Sequence, residues 1–139
     1  MMVSSKGRYA LQVMMDIAKN EGDGYVSVAD ISERQHLPLK YLEVIVGILN
    51  KGGMLSSLRG KNGGYRLNKA PDEYSISEIL NLTEGSLAPV ECVKGHTAGC
   101  ENAATCMTLP LWIGLDRVIE DYLSNISLQD VVDGNIKDF

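Results

Sequence analysis

Three cysteines, Cys92, Cys100 and Cys106, are the only thiols in this 139-residue chain, and all three fall within fifteen consecutive residues. Their spacing is Cys92-x7-Cys100-x5-Cys106. The surrounding segment, Val90 to Thr108, holds Gly95, His96, Gly99 and several small residues, with no sustained helical or strand periodicity, the pattern of a loop. Thiols crowded on a loop, in a chain expected to be cytosolic, favour a metal or redox role over a structural disulfide. Soft thiolate sulfur suits iron–sulfur clusters and zinc. The odd count fits neither a paired disulfide set nor a four-cysteine zinc site, and the tight C-x-x-C pairs of structural zinc sites and ferredoxins are missing. The spacing therefore indicates a metal or redox loop and leaves the cofactor open. His96, Glu84, Glu91, Glu101, Asp116 or a group from a second subunit could complete a ligand set, although His96 reads more readily as a solvated side chain and the four acids as surface charges.

A second chemistry-bearing run is Arg59-Gly60-Lys61-Asn62-Gly63-Gly64-Tyr65. It lies between two short β-like segments, Met54 to Leu58 and Tyr65 to Leu67. Two cations and three glycines at a hairpin tip make a positive finger whose backbone can approach another surface closely. A phosphate-lined groove is the surface that such a finger suits; a plain surface hairpin is the alternative.

The elements ahead of the finger decide between these readings. Ala10, Val13, Met14, Ile17 and Ala18 recur at helical spacing, a first amphipathic helix ending near Asn20, with a turn at Glu21 to Gly24. Before it, Ser4 to Arg8 is polar and basic, either a helix N-cap or a phosphate contact. Ser27, with Asp30 three residues on, starts a short second helix that stops near Gln35-His36. Pro38 is expected in the first turn of a third helix. In that helix Leu42, Ile45 and Leu49, flanked by Tyr41 and Ile48, should face the core. Lys40, Glu43, Val44, Gly47 and Lys51 form its mixed outer face, as a helix entering a major groove requires. Helix, turn, helix and basic-tipped hairpin together predict a winged helix-turn-helix over residues 1–70. Residues 71–108 hold a short helix, capped by Ser75 with Glu78, and the cysteine loop. From residue 109 a long helix presents Leu111, Trp112, Leu115, Val118, Ile119, Tyr122, Leu123 and Ile126, a stripe broad enough to predict dimerisation, although intramolecular packing would also bury it. Ser127 and Asp130 begin one more turn, ended near Gly134. The fold class is thus mostly α, with a small β-hairpin wing and a long C-terminal dimerisation helix, in one compact chain.

The net charge of −5 argues weakly against a nucleic-acid partner, and its distribution reverses that argument. Residues 1–70 carry 10 Lys/Arg against 6 Asp/Glu, whereas residues 71–139 carry 3 against 12. Such asymmetry is expected of a basic contacting face on a body that repels a polyanion. No apolar run approaches a membrane span, and Lys6, Arg8 and Asp16 interrupt any signal-peptide core, so a cytoplasmic protein without a membrane partner is expected. No Cys-His-acid set on a cleft scaffold is apparent, which argues against a thiol hydrolase and against an enzyme generally. A zinc-stabilised interaction module is a third class, separable by metal analysis.

At these residues the chain resembles, over nearly its whole length, the winged-helix regulator family that includes IscR, NsrR and CymR. The matching pieces are Ser5 to Ala10, Ala29 to Arg34, Tyr41-Leu42-Glu43, Arg59-Gly60 through Gly63-Gly64-Tyr65, the three-cysteine loop, Leu111-Trp112 and Asn125 to Leu128. The resemblance implies a homodimeric bacterial transcription regulator on double-stranded DNA, with a palindromic operator and the long helix at the dimer interface. It implies Tyr41 and Glu43 in the base-reading helix and Arg59 in the wing; with Lys40 of the outer helix face and Gly60 and Lys61 of the finger, these form the expected DNA-binding set. Glu43 can accept a hydrogen bond from cytosine N4, and Arg59 can enter a narrow minor groove. It further implies that Cys92, Cys100 and Cys106 hold an iron–sulfur cluster, with 2Fe-2S the expected type, and that cluster state alters DNA binding. Three departures leave the fourth ligand unassigned. The position three residues after the last cysteine, a His in IscR-like members, is Leu109; position 8, acidic in some NsrR-type members, is Arg8; and the first cysteine interval is two residues longer than usual. A cluster-free cysteine switch, a zinc-bound regulator, and a regulator of cysteine metabolism working with a partner protein are the alternatives.

Overall fold

The computed structural model describes residues 3–96 and 104–136. Its elements run α1 (Ser5–Asn20), α2 (Val28–Gln35), α3 (Leu39–Lys51), β1 (Leu55–Leu58), β2 (Gly64–Leu67), α4 (Ile76–Glu84), α5 (Leu109–Ser124) and α6 (Leu128–Asp133). Short 3₁₀ segments lie at Pro71–Glu73 and Glu91–His96. This is the mostly helical winged arrangement that the periodicities predict, with the hairpin as its only described sheet.

The core is built where the apolar stripes converge. Ala10, Val13, Met14 and Ile17 of α1 meet Ile31 of α2 and Leu42, Ile45, Val46 and Leu49 of α3, all essentially inaccessible to solvent. Val46 was not among the expected core positions. It completes the i, i+3, i+4, i+7 set begun by Leu42, and α3 is buried over a wider arc than the narrower stripe suggests. Pro38 stands at the N-cap of α3, one residue before the first turn where it was expected. Its backbone is extended and its carbonyl accepts the Leu42 N–H, the first bond of the helix. Ahead of it, His36 closes α2 in the left-handed region (φ 55°), donating its N–H to Ser32 O. That residue and Pro38 together make the tight turn between the two helices.

Local cap chemistry sets the other ends. Ser27 Oγ accepts from the Asp30 N–H, and Ser75/Glu78 and Ser127/Asp130 are reciprocal capping boxes. The C-terminal elements are stitched back to the body: Ile76 N–H donates to Ile126 O and Leu128 N–H to Tyr74 O, both at 2.9 Å. Leu128 thereby enters the main core, while Ile76, Leu80 and Leu87 form a second cluster with Ile119, Leu123 and Ile126. The broad stripe of α5 is thus divided. Its later residues pack within the chain, and Leu111, Leu115 and Val118, at i, i+4 and i+7, are 61%, 39% and 45% exposed.

Candidate nucleic-acid interface and cysteine loop

Lys40, Glu43, Val44, Gly47 and Lys51 all lie on the solvent side of α3. Tyr41 does not share their exposure. It is half-buried, packed against the core, and its ring meets Tyr9 of α1 edge-on, with centroids 5.6 Å apart and planes at 84°. From the end of α3 the chain turns through Gly52–Met54 into the hairpin, whose register pairs Leu55 with Leu67 and Leu58 with Gly64. Arg59, Gly60, Lys61 and Asn62 form the exposed tip. Gly60 adopts φ 114°, a conformation that L side chains rarely take.

The wing is fixed to the body at its second strand. Tyr65 and Val26 exchange two backbone hydrogen bonds of 2.8 Å, adding Val26, two residues ahead of α2, to the hairpin edge. Glu21 accepts the Leu67 N–H at 2.8 Å. The buried Tyr74 hydroxyl donates to Met54 O and accepts from Asn68 N–H, clamping both strand ends. Burial pushes the Tyr74 phenol up from its usual pKa.

A polar tie sets α2 against α1. Asp16, nearly inaccessible within the apolar face of α1, receives the Arg34 Nη2 at 2.7 Å, the Arg34 Nε at 3.0 Å and the Gln35 amide at 2.9 Å. Burial pushes the Asp16 carboxyl up, but the hydrogen bonds from Arg34 and Gln35 and the guanidinium charge outweigh it and hold the group below its usual value. Sequence reasoning did not find this pair. The available signal was an acid embedded between Val13, Met14 and Ile17, which demands a buried partner.

At the start of α1, Ser4 acts as the N-cap, its Oγ accepting from the Gly7 N–H. The same hydroxyl donates to Glu84 Oε1 at 2.6 Å, and the Ser4 N–H donates to that oxygen at 3.2 Å. Glu84, a candidate ligand by sequence, is thereby committed to joining the end of α4 to α1. Arg8 is exposed and donates to Ser5 Oγ at 3.1 Å.

Of the three cysteines, Cys92 and Cys106 lie within the described residues; Cys100, Glu101 and the His96 side chain lie outside them. Cys92 is half-buried in the 3₁₀ segment, which Val93 anchors and which packs on α5. Here the expected loop is helical, six residues of 3₁₀ following Pro89. Cys106 precedes α5, its sulfur 3.3 Å from Thr108 Oγ1. The Thr108 hydroxyl and the backbone N–H groups of Thr108 and Leu109 hold its thiol below the usual value, toward the thiolate that binds metal. Leu109 is buried as apolar packing and Arg8 faces solvent. Asp116, read from sequence as a surface charge, is instead buried. It lines a cavity of about 270 Å³ between α4, α5 and the 3₁₀ segment, with Lys94 and Glu120 also on its wall. Among the described residues no three His, Cys, Asp or Glu side chains converge on a metal position. The donors that are described, one thiol in the 3₁₀ segment and one just ahead of the helix on which that segment packs, the latter biased toward thiolate, suit an iron–sulfur or zinc centre chemically.

Comparison with known proteins agrees with the mostly helical winged fold. A family model described as Rrf2, iron-dependent transcriptional regulator, matches residues 3–134. The HTH-type transcriptional regulator IscR of Erwinia tasmaniensis is 40% identical over 132 residues, covering 95% of this chain and 79% of the relative. Among solved structures, CymR (YrzC), the global cysteine regulator of B. subtilis, superposes with a TM-score of 0.78 at 32% identity, covering 96% of this chain and 98% of that one. T. potens IscR superposes with a TM-score of 0.76 at 33% identity, over 97% and 88% of the two chains.

Proposed function

Because this chain belongs to the Rrf2 family of transcriptional regulators, we propose that it binds a palindromic operator as a cytoplasmic homodimer and senses iron–sulfur cluster or redox status through its cysteine loop. The relatives are regulators and not enzymes, and no described helix is long and apolar enough to cross a membrane. The observation that carries the DNA half is the exposed outer face of α3 followed at once by the exposed cationic tip Arg59–Lys61. In this reading Lys40, Tyr41 and Glu43 lie at the major groove, while Arg59, Gly60 and Lys61 follow the backbone into the minor groove. The exposed Leu111, Leu115 and Val118 of α5 support the dimer, since a two-fold contact would cover this row.

Cys92, Cys100 and Cys106 would hold the cluster, of 2Fe-2S type. When bound, such a group supplies a redox-labile crosslink between the 3₁₀ segment and the start of α5. The chain's own part is to relay the loop state. The 3₁₀ segment follows α4 after residues 85–90, and Glu84 at the end of α4 accepts from Ser4, the N-cap of α1. A second reading, a cluster-free thiol switch or a zinc-bound or partner-dependent regulator, is favoured by Leu109 and Arg8 at the two familiar ligand positions and by the likeness to CymR.

The DNA half is tested by titrating a duplex selected from a randomised library at several salt concentrations. Arg59→Ala is expected to weaken specific binding by about 1–3 kcal/mol, and Lys61→Ala to lower the salt slope by about one unit. Parental binding by both variants at every salt concentration would remove the wing from the interface.

A further inference from the structure

The outer face of α3 has an arrangement that the wing and the polar positions do not explain. Lys40, Val44, Gly47 and Lys51 recur at i, i+4, i+7 and i+11, a single line along the helix. Its two ends are cationic and its middle is apolar and small. Val44 is 56% exposed, the most exposed large apolar side chain among the described residues of the DNA-binding region, and Glu43 lies beside it. Among the described residues nothing requires glycine at position 47: a Cβ built there would meet none of their atoms within 4 Å, and its φ is not in the left-handed region. A mid-helix glycine weakens a helix relative to alanine, so the missing side chain serves a surface outside the chain.

Duplex DNA fits this pattern. Phosphates border the groove where the line is cationic, and the groove floor carries one apolar feature, the thymine 5-methyl group. We propose that Val44 reads a thymine methyl in the major groove, and that Gly47 is kept small so that α3 lies deep enough for this contact. The inference rests on α3 being the recognition helix. With Glu43 beside it able to accept from cytosine N4, it assigns each half-site a thymine next to a cytosine.

The test uses duplexes selected from a randomised library, with each thymine of the half-site replaced in turn by deoxyuridine, which deletes only the methyl. At one thymine the parent is expected to lose about fourfold in affinity, the ratio corresponding to burial of one methyl-sized group. Val44→Ala is expected to lose a similar factor and then to be indifferent to deoxyuridine at that position. Gly47→Ala is expected to keep or raise Tm while binding DNA several-fold more weakly. If Val44→Ala stays as sensitive as the parent to every deoxyuridine, the methyl contact is overturned. If Gly47→Ala binds like the parent, close approach is overturned. If the parent selects no duplex at all, the recognition-helix reading fails first and this inference fails with it.

Discussion

Replacing Arg34 with methionine is expected to destabilise the fold by about 3 kcal/mol, because it strands a carboxylate in the core. Asp16 has a side chain 1% exposed, whereas Arg34 is 39% exposed, so the acid carries most of the desolvation. Its charge is balanced by a two-pronged guanidinium contact and one amide, and Gln35 alone cannot replace the former. The lower end of the range for broken buried pairs applies because solvent reaches the arginine. The pH dependence has a definite sign. In the parent the folded carboxyl titrates below its ordinary value of 3.8. Its stabilisation is therefore complete above that value and is lost as pH falls through the lower folded one. In Arg34→Met the carboxylate stays buried and the balancing charge is gone, so protonation relieves the variant. The stability gap between parent and variant should be widest near neutrality and should close in acid. Urea denaturation at about pH 7 and about pH 3 measures both values. A combined Asp16→Leu, Arg34→Met variant should recover much of the loss, since an apolar pair leaves no buried charge. An unchanged midpoint for Arg34→Met at neutral pH would show that the tie between α1 and α2 contributes nothing.

Gly64→Val is expected to cost about 3 kcal/mol or more and to abolish specific DNA binding. The residue sits at φ 148°, where a β-branched side chain is strained. A Cβ there would strike the carbonyl of Val26 and the backbone nitrogen of Ser27, neither of which can swing aside. The strand must move outward and lose its two hydrogen bonds to Val26, each worth about 1 kcal/mol in addition to the backbone strain. The wing then leaves the end of α3, and Arg59 with it. Denaturation and anisotropy titration of the same sample separate the two effects. A variant that folds like the parent but does not bind would still place the wing at the DNA. One that folds and binds like the parent would contradict the account of this junction.

What the sequence made legible was local. The stripe of α1, the capping box at Ser75, the turn begun by Ser127 and Asp130 and the Gly-rich hairpin each depend on residues a few positions apart, and each is found at its expected place. The misses depend on distant partners. Val46 is buried because three helices converge on α3, and Asp16 and Arg34 meet across 18 positions of chain. Tyr74 clamps the wing through a hydroxyl whose partners, Met54 and Asn68, no periodicity reveals. The stripe of α5 was readable as apolar, but its division depended on where α4 and the returning Ile126 lie. For the cysteine loop, residue type and clustering indicated the chemistry. The 3₁₀ turn around Cys92 and the hydrogen bonding that biases Cys106 depend on backbone geometry that spacing does not encode.

In the proposed function, the state of the cysteine loop sets the affinity for DNA. The most direct measurement titrates one selected duplex with protein purified anaerobically, before and after removal of its metal, with iron, sulfide and zinc counted per chain in the same sample. The account predicts near-equal iron and sulfide, and affinities that differ by about 5- to 150-fold, the usual span of coupling between two sites. Identical affinities for the loaded and stripped protein, on every duplex that it selects, would contradict it.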